Sequence, residues 1–126
     1  MDKLVSTFKA LSDRNRLRIV SALLTHEELC ACQLTELIQV AGATTSRHMG
    51  ILLAADLVQS RKEGRWVYYR LKQEHTDFSS LIEWIGTQLS QDPNALRDAE
   101  QLKIITSIEP DELCRKQRGE ACCPGL

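Results

Sequence analysis

No apolar run in this 126-residue chain reaches the ~20 residues that a helix needs to cross a bilayer, and its first residues lack the charged start, apolar centre and small-residue cleavage site of a secretory signal. The expected location is the cytoplasm, with no membrane partner. No glycine-rich loop would cradle phosphate, and no nucleophile, base and orienting group stand at a catalytic spacing, so an enzyme is not expected. Strong net charge is also missing: 16 Lys and Arg against 17 Asp and Glu leave −1. Near neutrality excludes little, because a DNA-binding protein needs only a local basic surface. Internal repeats and low-complexity blocks are absent, and the length suits one domain. Five cysteines are an odd number for a disulfide framework in a reducing compartment. Cys30-Ala31-Cys32 and the adjacent Cys122-Cys123 point instead to thiolate chemistry.

What is present centres on residues 29 to 57. Leu34, Leu37 and Ile38 fall at i, i+3 and i+4, one face of a first helix. Gly42 offers the freedom of a sharp turn, and Ala43-Thr44-Thr45-Ser46 restarts a helix with cap-forming hydroxyls. This second helix runs to about Asp56, with Thr45, Met49, Leu52 and Asp56 inward and Thr44, Arg47, His48 and Ile51 on another face. A hairpin follows: Val58 to Lys62 and Arg65 to Leu71 flank the turn Glu63-Gly64. Between Ala43 and Lys72 the bases Arg47, Arg61, Lys62, Arg65, Arg70 and Lys72 outnumber the acids Asp56 and Glu63. The expected fold is mainly α with a β-hairpin wing, a dimeric winged helix-turn-helix. Thr44, Ser46, Arg47 and His48 are expected to read operator bases, and Arg61, Lys62 and Arg65 to hold phosphate or the minor groove.

Leu4, Phe8 and Leu11 mark a first helix, Ser12-Asp13 offers a cap, and Leu17, Ile19, Val20, Leu23 and Leu24 supply the core of a second. Arg14, Arg16 and Arg18 read as a solvated face, with backbone phosphate as the alternative. Phe78, Leu81, Ile82, Ile85 and Leu89 predict a long helix, Asp92-Pro93 restarts another, and Pro110 opens a last turn holding Cys114. Residues 1–110 are thus expected to form the DNA-binding and dimerisation domain and 111–126 a mobile, cysteine-containing tail. The first and late helices carry apolar stripes beyond what one core uses, so they are expected to make a homodimer. No other protein partner is inferred.

The segments ELCACQL, TSRHMGIL and RKEGRWVYYRL, taken in order, resemble the arsenical-resistance repressors of the ArsR/SmtB family of metal-sensing winged helix proteins. The resemblance covers roughly residues 1 to 90. It implies a repressor that leaves its operator when a thiophilic ion binds, with Cys30 and Cys32 as ligands. The family's third cysteine, three residues after the second, is Thr35 here. Arsenite or antimonite, which prefers three sulfurs, must then draw on Cys114, Cys122, Cys123 or a small-molecule thiol. The family's zinc ligands on the late dimer helix also lack a counterpart, and its glycine after the recognition helix is Asp56.

From the residues themselves, thiolates select soft ions and a helix start favours the thiolate. Side chains two apart on a helix point to nearly opposite sides, so Cys30 and Cys32 can share an ion only where the backbone is non-helical. A thiol-redox regulator or a cadmium or lead sensor of the same fold are the alternatives, followed by a thiol-rich metal buffer.

Overall fold

A computed structural model describes residues 1–72 and 78–118, excepting the side chain of Arg118. Helix α1 (Asp2–Leu11) leads into α2 (Arg14–Thr25), whose N-cap Asp13 accepts from the Arg16 N–H at 3.0 Å. A two-residue strand β1 (Leu29–Cys30) enters α3 (Ala31–Ile38), and α4 (Gly42–Ala54) completes the helix-turn-helix. The hairpin is β2 (Val58–Glu63) and β3 (Trp66–Leu71), followed by α5 (Ser79–Leu89), α6 (Pro93–Ile105) and α7 (Pro110–Arg118). At α6 the expected start signal holds, with Pro93 at the first position and the Asp92 carboxylate accepting from the N–H groups of Asn94 and Ala95.

The core is built where helical and strand periods meet. Ile19 and Val20 of α2, Leu34 of α3, and Met49 and Leu52 of α4 are fully buried, with Tyr69 and Leu71 of β3 closing over them. α6 packs on α2 and α3, and α7 packs on α3, so the first helix of the helix-turn-helix is held between the reading helix and the carboxyl-terminal helices. None of the described helices is long and apolar enough to cross a membrane.

Several details differ from the expectations. The turn between α3 and α4 is made by Gln39 at φ 55° rather than by Gly42, which is already the first residue of α4. The hairpin turn shifts by one residue to Gly64-Arg65, since Glu63 pairs with Trp66; Gly64 takes φ 61° at the first turn position, where a right-twisted hairpin requires it. β1 was too short to carry an alternation signal, yet it gives the hairpin a third strand, in the order β1-β3-β2. Leu24, expected in the core, is 38% exposed. Asp56 adopts the left-handed conformation at φ 64° that glycine would take most easily. Its carboxylate meets Lys72 Nζ, clasping the end of the hairpin to the end of α4, and this contact holds the carboxyl below its ordinary range.

The region expected as a tail begins as structure. Leu113 and Cys114 of α7 are 1% and 0% exposed, so the folded unit continues past residue 110. Residues 119–126, including Cys122 and Cys123, and residues 73–77, including His75, lie outside the described residues.

Candidate functional site

The outward row of α4 is Ala43, Ser46, Arg47, Gly50, Ile51 and Ala54, all exposed and spaced at i, i+3, i+4, i+7, i+8 and i+11. Apart from Ile51 the neighbours of Arg47 in this row are small, and nothing lies within 4 Å of the position a Gly50 side chain would take. Such a face admits close approach of a groove with one long cationic arm projecting from it. Thr44 is half-buried at the start of the helix. Thr45 points inward, where its hydroxyl accepts from the Thr35 hydroxyl at 2.8 Å with both residues buried. The position where the resemblance would place a third thiolate is therefore used to bind α3 to α4. The hydroxyls expected as caps are the third to fifth residues of the helix; Ala41 is the N-cap and gives no side-chain cap.

His48 leaves the expected base-reading set. It is 7% exposed, and Arg16 Nη1 donates to its Nδ1 at 3.1 Å while Asp13 Oδ2 stands 4.0 Å away. Arg16 also donates to the carbonyls of Ala10 at 2.6 Å and Lys9 at 3.4 Å, closing the end of α1. His48 is thus a packing residue that docks the reading helix on the α1–α2 corner. Burial pushes its pKa below the ordinary 6.5, with Asp13 opposing and Arg16 and Arg47 reinforcing the shift. An unfolded chain then takes up a proton near pH 6.5 that the folded chain refuses. The stability contributed by neutral His48 is fully present above 6.5 and is lost as pH falls from there through the folded-state value. Thermal unfolding midpoints should accordingly fall between about pH 7.5 and pH 5.5, and His48→Gln should flatten that slope. An unchanged slope in the variant would remove His48 as its cause.

Arg18, expected on a solvated face, is instead a tie-rod. Its Nε and Nη2 donate to the two oxygens of Asp98 on α6 at 2.9 and 3.0 Å, Nη2 donates to the Leu37 carbonyl at 2.9 Å, and Nη1 donates to Asn15 Oδ1 at 3.0 Å. Only Arg14 of the three is exposed.

On the wing, Arg61 is also engaged. Its Nε and Nη2 donate to the carboxylate of Glu28, both at 2.7 Å, Glu63 takes Nη1, and the guanidinium lies 4.5 Å from the Tyr68 ring centroid. These carboxylates raise the Arg61 pKa further above its already high value, and Arg61 holds the Glu28 carboxyl below its usual range. Its charge is matched before any phosphate arrives, so it tethers the wing to the segment before β1. Lys62 and Arg65 are exposed at the tip beside it. Glu28, Asp13 and Thr35 were not singled out from the sequence for these contacts, although Asp13 was expected as a helix cap and Glu28 lies inside the ELC segment.

The thiols lie at the entry to the helix-turn-helix. Cys30 is the last residue of β1, paired with Tyr68 of β3, and the N-cap of α3 at ψ 152°. Its sulfur faces the Gln33 N–H, and the Gln33 side-chain oxygen accepts from the Cys30 N–H at 2.8 Å. The strand-to-helix junction thus supplies the non-helical backbone that a shared ion requires. Cys32 and Cys114 form a disulfide with a Cα–Cα distance of 5.9 Å, against the expectation of thiolates alone. Docking of α7 on α3 brings together two sulfurs that are 82 residues apart in sequence. Among the described residues no three metal-ligating side chains stand together.

An outward reading helix followed by a cationic hairpin defines a winged helix-turn-helix, the class of DNA-binding regulators. Residues 13–60 match the family model described as bacterial regulatory protein, arsR family. The chain is 33% identical over 113 residues to the arsenic resistance transcriptional regulator ArsR1 of Pseudomonas putida, covering 90% of this chain and 77% of that one. It is 48% identical over 65 residues to the cadmium resistance transcriptional regulatory protein CadC of Listeria innocua, a match spanning 52% of this chain and only 55% of that protein's length. Among solved structures, HlyU from Vibrio cholerae superposes with a TM-score of 0.63 at 30% identity, covering 71% of this chain and 95% of that one. The chain belongs to the ArsR family, a family of DNA-binding regulators and not of enzymes.

Proposed function

We propose that this chain is a transcriptional repressor released from operator DNA by trivalent arsenic or antimony, held by the thiolates of Cys30, Cys32 and Cys114. The observation that carries the reading is the docking of α7, which supplies a third cysteine beside Cys32 where Thr35 leaves the local motif one sulfur short. The donor set fits a soft ion chemically: three sulfurs at one end of α3, two of them adjacent once reduced. Closing the site requires the Cys32–Cys114 dithiol and movement of Cys30 out of its cap. Cys30 is paired to the wing through β3, and Glu28, two residues before it, is tied to Arg61. Rearrangement at the thiols therefore pulls on both halves of the DNA-binding surface.

Ser46 and Arg47, with Thr44 at their edge, are the base readers in this proposal, and Lys62 and Arg65 the phosphate contacts. A homodimer is part of it, supported by Leu4, Val5 and Phe8 on α1 and Trp84 on α5, which are 42 to 60% exposed. The relatives named for cadmium resistance make cadmium the second ion to test.

The test is fluorescence anisotropy of promoter DNA titrated with reduced protein. Arg47→Ala should cost roughly 1–3 kcal/mol and relax specificity at one position per half-site. Lys62→Ala should weaken all sequences alike and lower the salt slope by about one. Arsenite should weaken operator binding by roughly 5- to 150-fold, the span of a typical coupling free energy. Equal losses and unchanged specificity in both variants would mean that another surface reads the bases. Operator affinity indifferent to arsenite, antimonite and cadmium would sink the ion-released reading.

A further inference from the structure

Helix α7 is more than a carrier for one thiol. Besides the Cys32–Cys114 bond, Lys116 Nζ lies 2.9 Å from Glu36 Oε2, and the Gln117 amide donates to the Cys32 carbonyl at 2.9 Å and to Glu36 Oε1 at 3.2 Å. The lysine and this amide hold the Glu36 carboxyl below its ordinary range, against its desolvation. Cys32 and Glu36, one turn apart, hold α7, while Thr35 between them holds α4 through Thr45. With the disulfide formed, the Thr35–Thr45 bond is made, the outward row of α4 is exposed, and the three-stranded sheet is complete. Oxidation and an intact DNA-reading surface therefore coexist in one conformation.

We propose that the Cys32–Cys114 disulfide is an oxidative lock: a hydroperoxide converts the inducible repressor into one that keeps its operator and no longer answers a soft ion. This rests on the ion-released reading and adds a second input to the same site. One thiolate attacks the peroxide, taking an oxygen as a sulfenic acid and releasing water. The other thiolate attacks that sulfur and displaces hydroxide, which takes up a proton as water. Two thiols and one hydrogen peroxide thus give one disulfide and two waters, with two electrons passing from sulfur to oxygen. Both sulfurs are buried, so the peroxide reaches them when the terminal helix opens locally. Of the three proposed donors only Cys30 then remains, too few for trivalent arsenic, and α3 is fastened to α7 in the shape that presents α4. The lock is opposite in sign to a redox regulator that lets go of DNA when oxidised.

The full chain carrying Cys122→Ser and Cys123→Ser keeps only the three proposed donors as cysteines. It is assayed reduced, after hydrogen peroxide followed by catalase, and after re-reduction with dithiothreitol, with intact mass reporting the disulfide as a loss of two hydrogens. Operator affinity is read by anisotropy with and without arsenite. The expected result is that the oxidised protein binds operator within about two-fold of the reduced protein, shows less than about two-fold release by arsenite, and recovers release on re-reduction. Cys114→Ser added to this background should show no loss of two hydrogens on peroxide treatment. DNA release by peroxide alone, undiminished arsenite release from the oxidised form, or added oxygens in place of the lost hydrogens each overturns the lock. A reduced protein that ignores arsenite overturns the ion-released reading itself and the lock with it.

Discussion

Asp98→Ala should destabilise the fold by about 3 kcal/mol, because it leaves the largely buried Arg18 guanidinium without the carboxylate that takes two of its hydrogen bonds. The side chains of the pair are 24% and 10% exposed, and both oxygens of the carboxylate are used. This is near the low end of what breaking a buried pair costs, since a quarter of Arg18 remains wetted. The unfolding midpoint should drop by on the order of 10 °C. Denaturant titrations would decide it: a loss below about 1 kcal/mol would put the pair among ordinary surface ion pairs. A double change to apolar residues, Arg18→Met with Asp98→Leu, should recover much of the loss, because it removes both charges together. The reading of α6 as a structural buttress of α2 and α3 depends on that recovery.

Cys32→Ser should abolish induction while leaving repression intact. The sulfur is lost from both the disulfide and the proposed ion site, yet the substitution swaps one small buried group for another at the first turn of α3, where serine is tolerated. Arsenite should then leave operator affinity unchanged where the wild type loses roughly 5- to 150-fold. By reciprocity, operator DNA should weaken arsenite binding to the reduced wild type by that same factor. Release of Cys32→Ser at the wild-type arsenite midpoint would relocate the sensor away from the helix-turn-helix.

The helix-turn-helix and wing were legible because their signals are local: the apolar row Leu34, Leu37, Ile38, the glycine of the hairpin turn, and the clustered bases. The misplaced turns are local slips of one to three residues, whereas the errors over His48, Arg61 and α7 share another origin, a partner distant in sequence. His48 lies one residue beyond Arg47 and looked solvent-facing on a helical wheel, but α4 also packs against the α1–α2 corner, so its buried arc is wider than one stripe. Arg61 reads as a free cation until Glu28, 33 residues earlier, is brought alongside. α7 has too few apolar residues to announce a docked helix. It is held by Leu113, Cys114 and polar contacts to a helix about 80 residues away, which no window on the sequence reveals. The pairing of Cys32 with Cys114, 82 residues apart, was likewise out of reach of the sequence.

Cys30 is the N-cap of α3, and in the ion-released reading the helix and the inducer compete for one sulfur. The sulfur faces the Gln33 N–H, so an ion must displace that one contact before it is detected. Every increment of about 1.4 kcal/mol that the contact contributes raises the ion concentration for half-release ten-fold over what the bare thiolates would set. The detection threshold is then written into secondary structure: Gln33, which completes the capping box, adjusts sensitivity without touching the ion. Sequences with a weaker partner at that position should yield repressors that trip at lower exposure and fray sooner on heating.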